Sequence, residues 1–146
     1  MRQKIVLVLF LLLGLVVFYE RFDWFTGPSP EKGIQQSTEL LKNAYEKRLS
    51  NIQLEGSGTV KTILKDDTTG SRHQRFILEL SSGQSILVSH NIDLAPRIDS
   101  LKKGDTVMFF GEYEFNSKGG VIHWTHHDPD KKHVDGWLSH NGRVYR

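Results

Sequence analysis

The chain has 146 residues, 38% hydrophobic and 25% charged, which provides for one globular domain with an attachment and excludes wholesale disorder. It contains no cysteine, so disulfides, thiolate metal sites, cysteine nucleophiles and lipid attachment through an N-terminal cysteine are excluded. Its net charge of +2 shrinks beyond residue 30, where 16 Lys and Arg face 15 Asp and Glu; this argues against a nucleic-acid partner, whose footprint is a clustered basic face.

Residues 1–25 form the first element. Arg2 and Lys4 precede a run without charge, residues 5–19. Fifteen helical residues reach about 22 Å, short of a hydrocarbon core of roughly 30 Å, so the length suits a signal-peptide core as well as a short span. The flank "VVFYERFDWFTG" has no small-residue cleavage pattern. Tyr19, Phe22, Trp24 and Phe25 instead resemble an interfacial aromatic belt. The expectation is therefore a signal-anchor or transmembrane helix over residues 1–25, with the membrane as a partner. Arg2 and Lys4 outweigh Glu20, Arg21 and Asp23, which leaves the N-terminus cytoplasmic and the following domain outside, or secreted if the segment is cleaved.

Residues 26–33, "TGPSPEKG", are a linker by composition, and Ser29-Pro30 can open a helix. Ile34, Leu40, Leu41, Ala44, Tyr45, Leu49 and Ile52 follow at near-helical spacing, which predicts an amphipathic helix over 34–52.

Residues 53–146 then read as a β domain, because from residue 54 the apolar period is two. "SGTVKTILKDD" is a strand leading into a polar loop at 66–71. "HQRFILELSSGQSILVSH" is two strands about Ser82-Gly83. "DLAPRIDSLKKGD" is a short helix-like or irregular connection. "TVMFFGEYEF" is the fourth strand and "VIHWTHH", residues 121–127, the fifth. Five strands in this arrangement predict a mostly β fold, a small OB-like Greek-key barrel, with an SH3-like barrel or an open sheet as the alternative. Asn141-Gly142 is a strong hairpin signal within the tail and places Leu138 opposite Tyr145.

"GSRHQRFILEL", "GQSILVSHNIDLAPRI", "GDTVMFFGEYEFNSKGGVIHWTHHDP" and "GWLSHNGRVY" together resemble the bacterial family called Domain of Unknown Function 3465, over roughly residues 55–145. The resemblance implies a bacterial, exported or membrane-anchored small β protein and carries no activity. With the charge asymmetry above, it places the protein in the bacterial inner membrane as a single-pass protein with a periplasmic C-terminal domain.

Four of the seven histidines fall between residues 121 and 133. On a regular fifth strand Val121, His123, Thr125 and His127 face one way and Ile122, Trp124 and His126 the other. His123 and His127 would then lie about 13 Å apart, too far to share an ion bound at about 2 Å. A metal site requires the strand to break near Asp128-Pro129, so that His126, His127 and Asp128 meet His133; the cofactor would be a divalent metal such as zinc. A structural role, with imidazoles tying strand ends to loop carbonyls, carries more weight on this geometry.

Further candidates come from strand faces. Arg75, His90, Glu112 and His123 are the polar strand residues expected to contact a ligand. Glu112 and Glu114 share a face about 6.6 Å apart, a spacing paired glycosidase carboxylates tolerate and exposed strands show routinely. No catalytic residue is assigned. The expected function is a membrane-anchored OB-like binding or interaction module for an unidentified ligand or protein. The alternatives are a metal-binding protein or metal-dependent hydrolase centred on His126, His127, Asp128 and His133, and single-stranded nucleic-acid binding by fold analogy.

Overall fold

A computed structural model describes residues 30–146; the expected anchor at 1–25 and the linker up to residue 29 lie outside the described residues. Helix α1 is Pro30–Glu46, so it starts before residue 34 and stops well short of 52. Its end is fixed by Arg48, which takes a φ of 53°. There the Arg48 N–H donates to Tyr45 O at 3.1 Å and the Leu49 N–H to Ala44 O at 2.9 Å, which closes the helix with paired return bonds. Such ends are usually marked by glycine, and an arginine in that position gives no sequence signal. Leu41 and Ala44 are buried, whereas Leu49 is exposed beyond the end and Ile52 begins the first strand. Among the described residues no helix is long and apolar enough to cross a membrane.

Seven strands follow: β1 Ile52–Ile63, β2 His73–Glu79, β3 Ser85–Asn91, β4 Thr106–Glu114, β5 Val121–His123, β6 Trp137–His140 and β7 Arg143–Tyr145. Their order is β1-β2-β3-β5-β4-β6-β7, and β1 pairs again with β4 so that the first five strands close into a barrel. The β3–β5 pairing is parallel, Leu87 opposite Val121, while the other pairs are antiparallel. This is the OB-like barrel: the β1–β4 closure removes the open-sheet alternative, and the strand order with its parallel β3–β5 pair removes the SH3-like one. Alternation along each strand sends Leu54, Phe76, Ile86, Phe109, Tyr113 and Ile122 into one core.

The long β1 serves two partners. It lies against β4 from Ile52 to Thr59 and against β2 from Thr59 to Ile63, with an irregularity between Val60 and Thr62 where it bends around the barrel. Between β3 and β4 the chain forms turns rather than a helix. Gln74 fixes this segment by donating from Nε2 to Ile98 O and accepting the Ile98 N–H at Oε1, both at 2.9 Å. At the C-terminus β6 and β7 turn through Asn141 and Gly142, both with positive φ, and Leu138 does face Tyr145.

The fifth strand departs most from expectation. It ends at His123 rather than His127, because Trp124 adopts a φ of 51° and turns the chain out of the sheet. The two-face alternation therefore stops at His123. Residues 124–136 instead form a long strap that returns to β6.

Candidate functional site

On one side, β4 is hydrogen-bonded to β1 from Thr106 through Tyr113. On its other side it changes partner: Val107–Phe110 pair with β6, and Glu112–Glu114 pair with β5. Gly111 marks the changeover. A Cβ there would stand 2.5 Å from His123 O and 2.8 Å from Thr125 Cγ2, so the strap can leave β5 at this point only over a glycine.

Because Gly111 and Tyr113 face the core, Glu112 and Glu114 face out. Gln53 lies opposite Glu112 on β1, and His123 lies opposite it on β5. Three strands thus present a polar row, Gln53, Glu112 and His123, with Glu114 one step along β4. One ligand-type atom from each of Glu112, Glu114 and His123 lies within 4.8 Å of the others.

The strap returns to this row at Glu112, through His133. Asp128 organises it by accepting the N–H groups of Asp130, Lys132 and His133 at 3.0, 2.7 and 2.8 Å. Burial works against the charge on Asp128, but these three donors outweigh it and hold the carboxyl below the usual range. Asp135 accepts the Asp128 N–H at 2.8 Å and the His127 ring at Nδ1, and these bonds lower its pKa in turn. Gly136 closes the strap: its N–H donates to His126 O at 2.9 Å, and a Cβ there would fall 1.9 Å from Trp124 O.

So held, His133 stacks on Trp124 with ring centroids 4.2 Å apart and planes 6° from parallel. Its Nε2 meets Glu112 Oε2 at 2.7 Å and its Nδ1 meets Val134 O at 2.9 Å. Both acceptors require N–H donors, so the ring is an imidazolium in this geometry. Burial pushes its pKa down, yet the bonds to Glu112 and Val134 and the charges of Glu112 and Asp128 together outweigh it, and the pKa stands above the ordinary histidine value.

His123 has the opposite environment. Burial lowers its pKa, and the charges of Glu112 and Glu114 offset this only in part, so the pKa stands below the ordinary histidine value. Its Nε2 lies 3.3 Å from Glu112 Oε1. The approach is not aligned as a hydrogen bond, and the buried atom has no hydrogen-bond partner. The amide nitrogen and oxygen of Gln53 are also buried without partners. Each such atom costs about 1–3 kcal/mol unless water or another group bonds it.

The candidates raised from sequence divide clearly. Glu112 and His123 come together as neighbours across β4 and β5. Arg75 does not join them: its guanidinium donates to Lys65 O at 3.0 and 3.2 Å, with Asp67 at 3.9 Å. His90 is fully buried, between Thr125 Oγ1 at 2.8 Å and Pro96 O at 3.2 Å, so it serves the core. The proposed metal set does not converge. His126 turns its Nδ1 to His127 O, exposed His127 pairs with Asp135, Asp128 caps the strap, and His133 alone reaches the row. Gln53 was missed because the first strand was read from Ser57, the start of "SGTVKTILKDD", whereas it begins at Ile52.

Comparison with known proteins adds one finding. A family model described as a protein of unknown function (DUF3465) matches residues 29–146. No curated protein matches the chain.

Proposed function

The chain belongs to the DUF3465 family, and on that premise we propose that it is a membrane-tethered, extracytoplasmic binding module whose ligand sits in the polar row beside the strap. One observation carries the binding reading: Gln53 and His123 present buried, unpartnered polar atoms beside Glu112. The row spans three hydrogen-bonded strands, so its geometry is fixed before a ligand arrives and little ordering cost remains at binding. Glu112 is pinned through one oxygen by His133, which leaves its other oxygen facing His123.

Support for the tether comes from the uncharged residues 5–19 and the basic start ahead of them. Protease treatment of spheroplasts tests the location. The barrel should be degraded while the inner membrane is intact, and protection of the barrel would refute it.

Binding is tested by thermal shift with zinc chloride, inorganic phosphate and succinate as probes, on the wild type and Gln53→Met. Replacing a buried amide that lacks partners by an apolar chain of similar shape should raise the stability of the free protein by about 1 kcal/mol. It should also reduce the response to whichever probe stabilises the wild type. A Gln53→Met protein that is less stable when free, or that responds as the wild type does, sinks the reading.

A further inference from the structure

Resting on the binding reading above, we propose that Glu112, Glu114 and His123 form a site for one divalent transition-metal cation of the zinc class, with His133 as the positioning residue that orients Glu112. The three donor atoms already lie within 4.8 Å of one another. A tetrahedral ion with bonds of about 2.0–2.2 Å needs donors roughly 3.4 Å apart, which small side-chain rotations supply here. The strands are held on both sides, so the side chains do the adjusting.

The donor set selects the class of ion. An imidazole with two carboxylates suits zinc, nickel, cobalt or manganese, whereas magnesium and calcium take all-oxygen shells. His123 Nε2 is buried without an aligned hydrogen bond, 3.3 Å from Glu112 Oε1, and a nitrogen so placed can share an ion with that carboxylate. The arrangement around it follows the pattern of metal centres, where ligating carboxylates are hydrogen-bonded from outside. Here Glu112 Oε2 accepts from His133 Nε2 at 2.7 Å, His133 is fixed by its N–H bond to Asp128 at 2.8 Å, and Trp124 stacks on its ring. Glu112 Oε1 remains for the ion. Gln53, in register with Glu112 on β1, offers an unpartnered amide oxygen in the same row.

The test uses tag-free, metal-stripped full-length protein in detergent. Zinc chloride is titrated by calorimetry, and cobalt chloride is followed by its visible absorption bands. The wild type should bind one ion per chain, and cobalt should give bands of a low-coordinate N/O site. Glu114→Gln and His123→Asn should each weaken zinc by at least 30-fold, with the melting curve of the free protein checked to show that the variant is folded. His133→Gln should weaken it roughly 10-fold and alter the cobalt spectrum without abolishing binding. His127→Ala, on the exposed side of the strap, should change affinity less than twofold.

No zinc bound at 1 mM, zinc binding that survives Glu114→Gln together with His123→Asn, or loss of binding on His127→Ala would each overturn the metal site. If zinc fails while phosphate or succinate stabilises the wild type and not Gln53→Met, the metal proposal falls and the binding face stands. If every probe fails, both fall.

Discussion

Lowering the pH should weaken the barrel through one buried group, His90. Its ring is fully buried, with Thr125 Oγ1 2.8 Å from Nδ1 and Pro96 O 3.2 Å from Nε2. A neutral ring satisfies both contacts, with Nε2–H donating to the carbonyl and Nδ1 accepting from the hydroxyl. Burial is the main cause that lowers its pKa from 6.5 to about 4; the Pro96 carbonyl opposes this and the charges of His126 and His73 reinforce it. Between those values the unfolded chain takes up a proton at His90 that the folded chain refuses. The contribution is therefore complete above pH 6.5 and is lost as the pH falls toward 4. The full shift corresponds to about 3 kcal/mol, of which about 2 kcal/mol is gone by pH 4.5. Urea unfolding of residues 30–146 at pH 7 and pH 4.5 measures it, in the wild type and in His90→Gln. The variant should be less stable at pH 7, but its loss on acidification should be smaller than that of the wild type by about 2 kcal/mol. Equal losses in the two proteins, or an NMR titration of the His90 ring with a midpoint near 6.5, would refute the reasoning.

Three further outcomes follow from the strap and the surface. Asp128→Ala removes the acceptor for three backbone N–H groups and should lower Tm by about 5 °C or more, with Asp128→Asn intermediate in a calorimetric scan. Gly136→Ala places a methyl group 1.9 Å from Trp124 O and should cost roughly 2 kcal/mol in urea unfolding, whereas an unchanged midpoint would show that the strap can shift at no cost. Arg72→Ala breaks a 2.6 Å contact with Asp93, yet both partners are solvated, so Tm should move by no more than about 2 °C.

The barrel was legible because alternation along β2, β3 and β4 is regular: Phe76, Leu78, Ile86, Val88, Val107 and Phe109 recur at every second position and are all buried. The tail was legible through Asn141-Gly142, whose backbone needs are specific. Two boundaries were not, and for related reasons. Arg48 and Trp124 both take left-handed backbone, a conformation that neither residue type announces, and each ends an element earlier than its pattern suggests. The second misreading mattered for the site. A strand continued through His127 separates the histidines by alternation and rise, whereas the turn at Trp124 lets His133 come back over Glu112. Of the residues named from sequence, Glu112 and His123 were recoverable from cross-strand position once β4 and β5 were paired. The orphaned amide of Gln53 is a matter of burial in the folded barrel, which strand alternation alone does not announce.

The closing pair of the barrel, β1 with β4, joins positions as distant as Ile52 and Tyr113, and loop-closure entropy makes such a contact slow to form. Glu112 acquires its neighbours only when β4 has β1 on one side and β5 on the other. The polar row is thus incomplete in any partly folded chain in which the barrel is still open. An occupant of that row should leave the refolding rate nearly unchanged and slow unfolding in proportion to its concentration over its Kd. The protein would then gain lifetime from its ligand rather than speed of assembly.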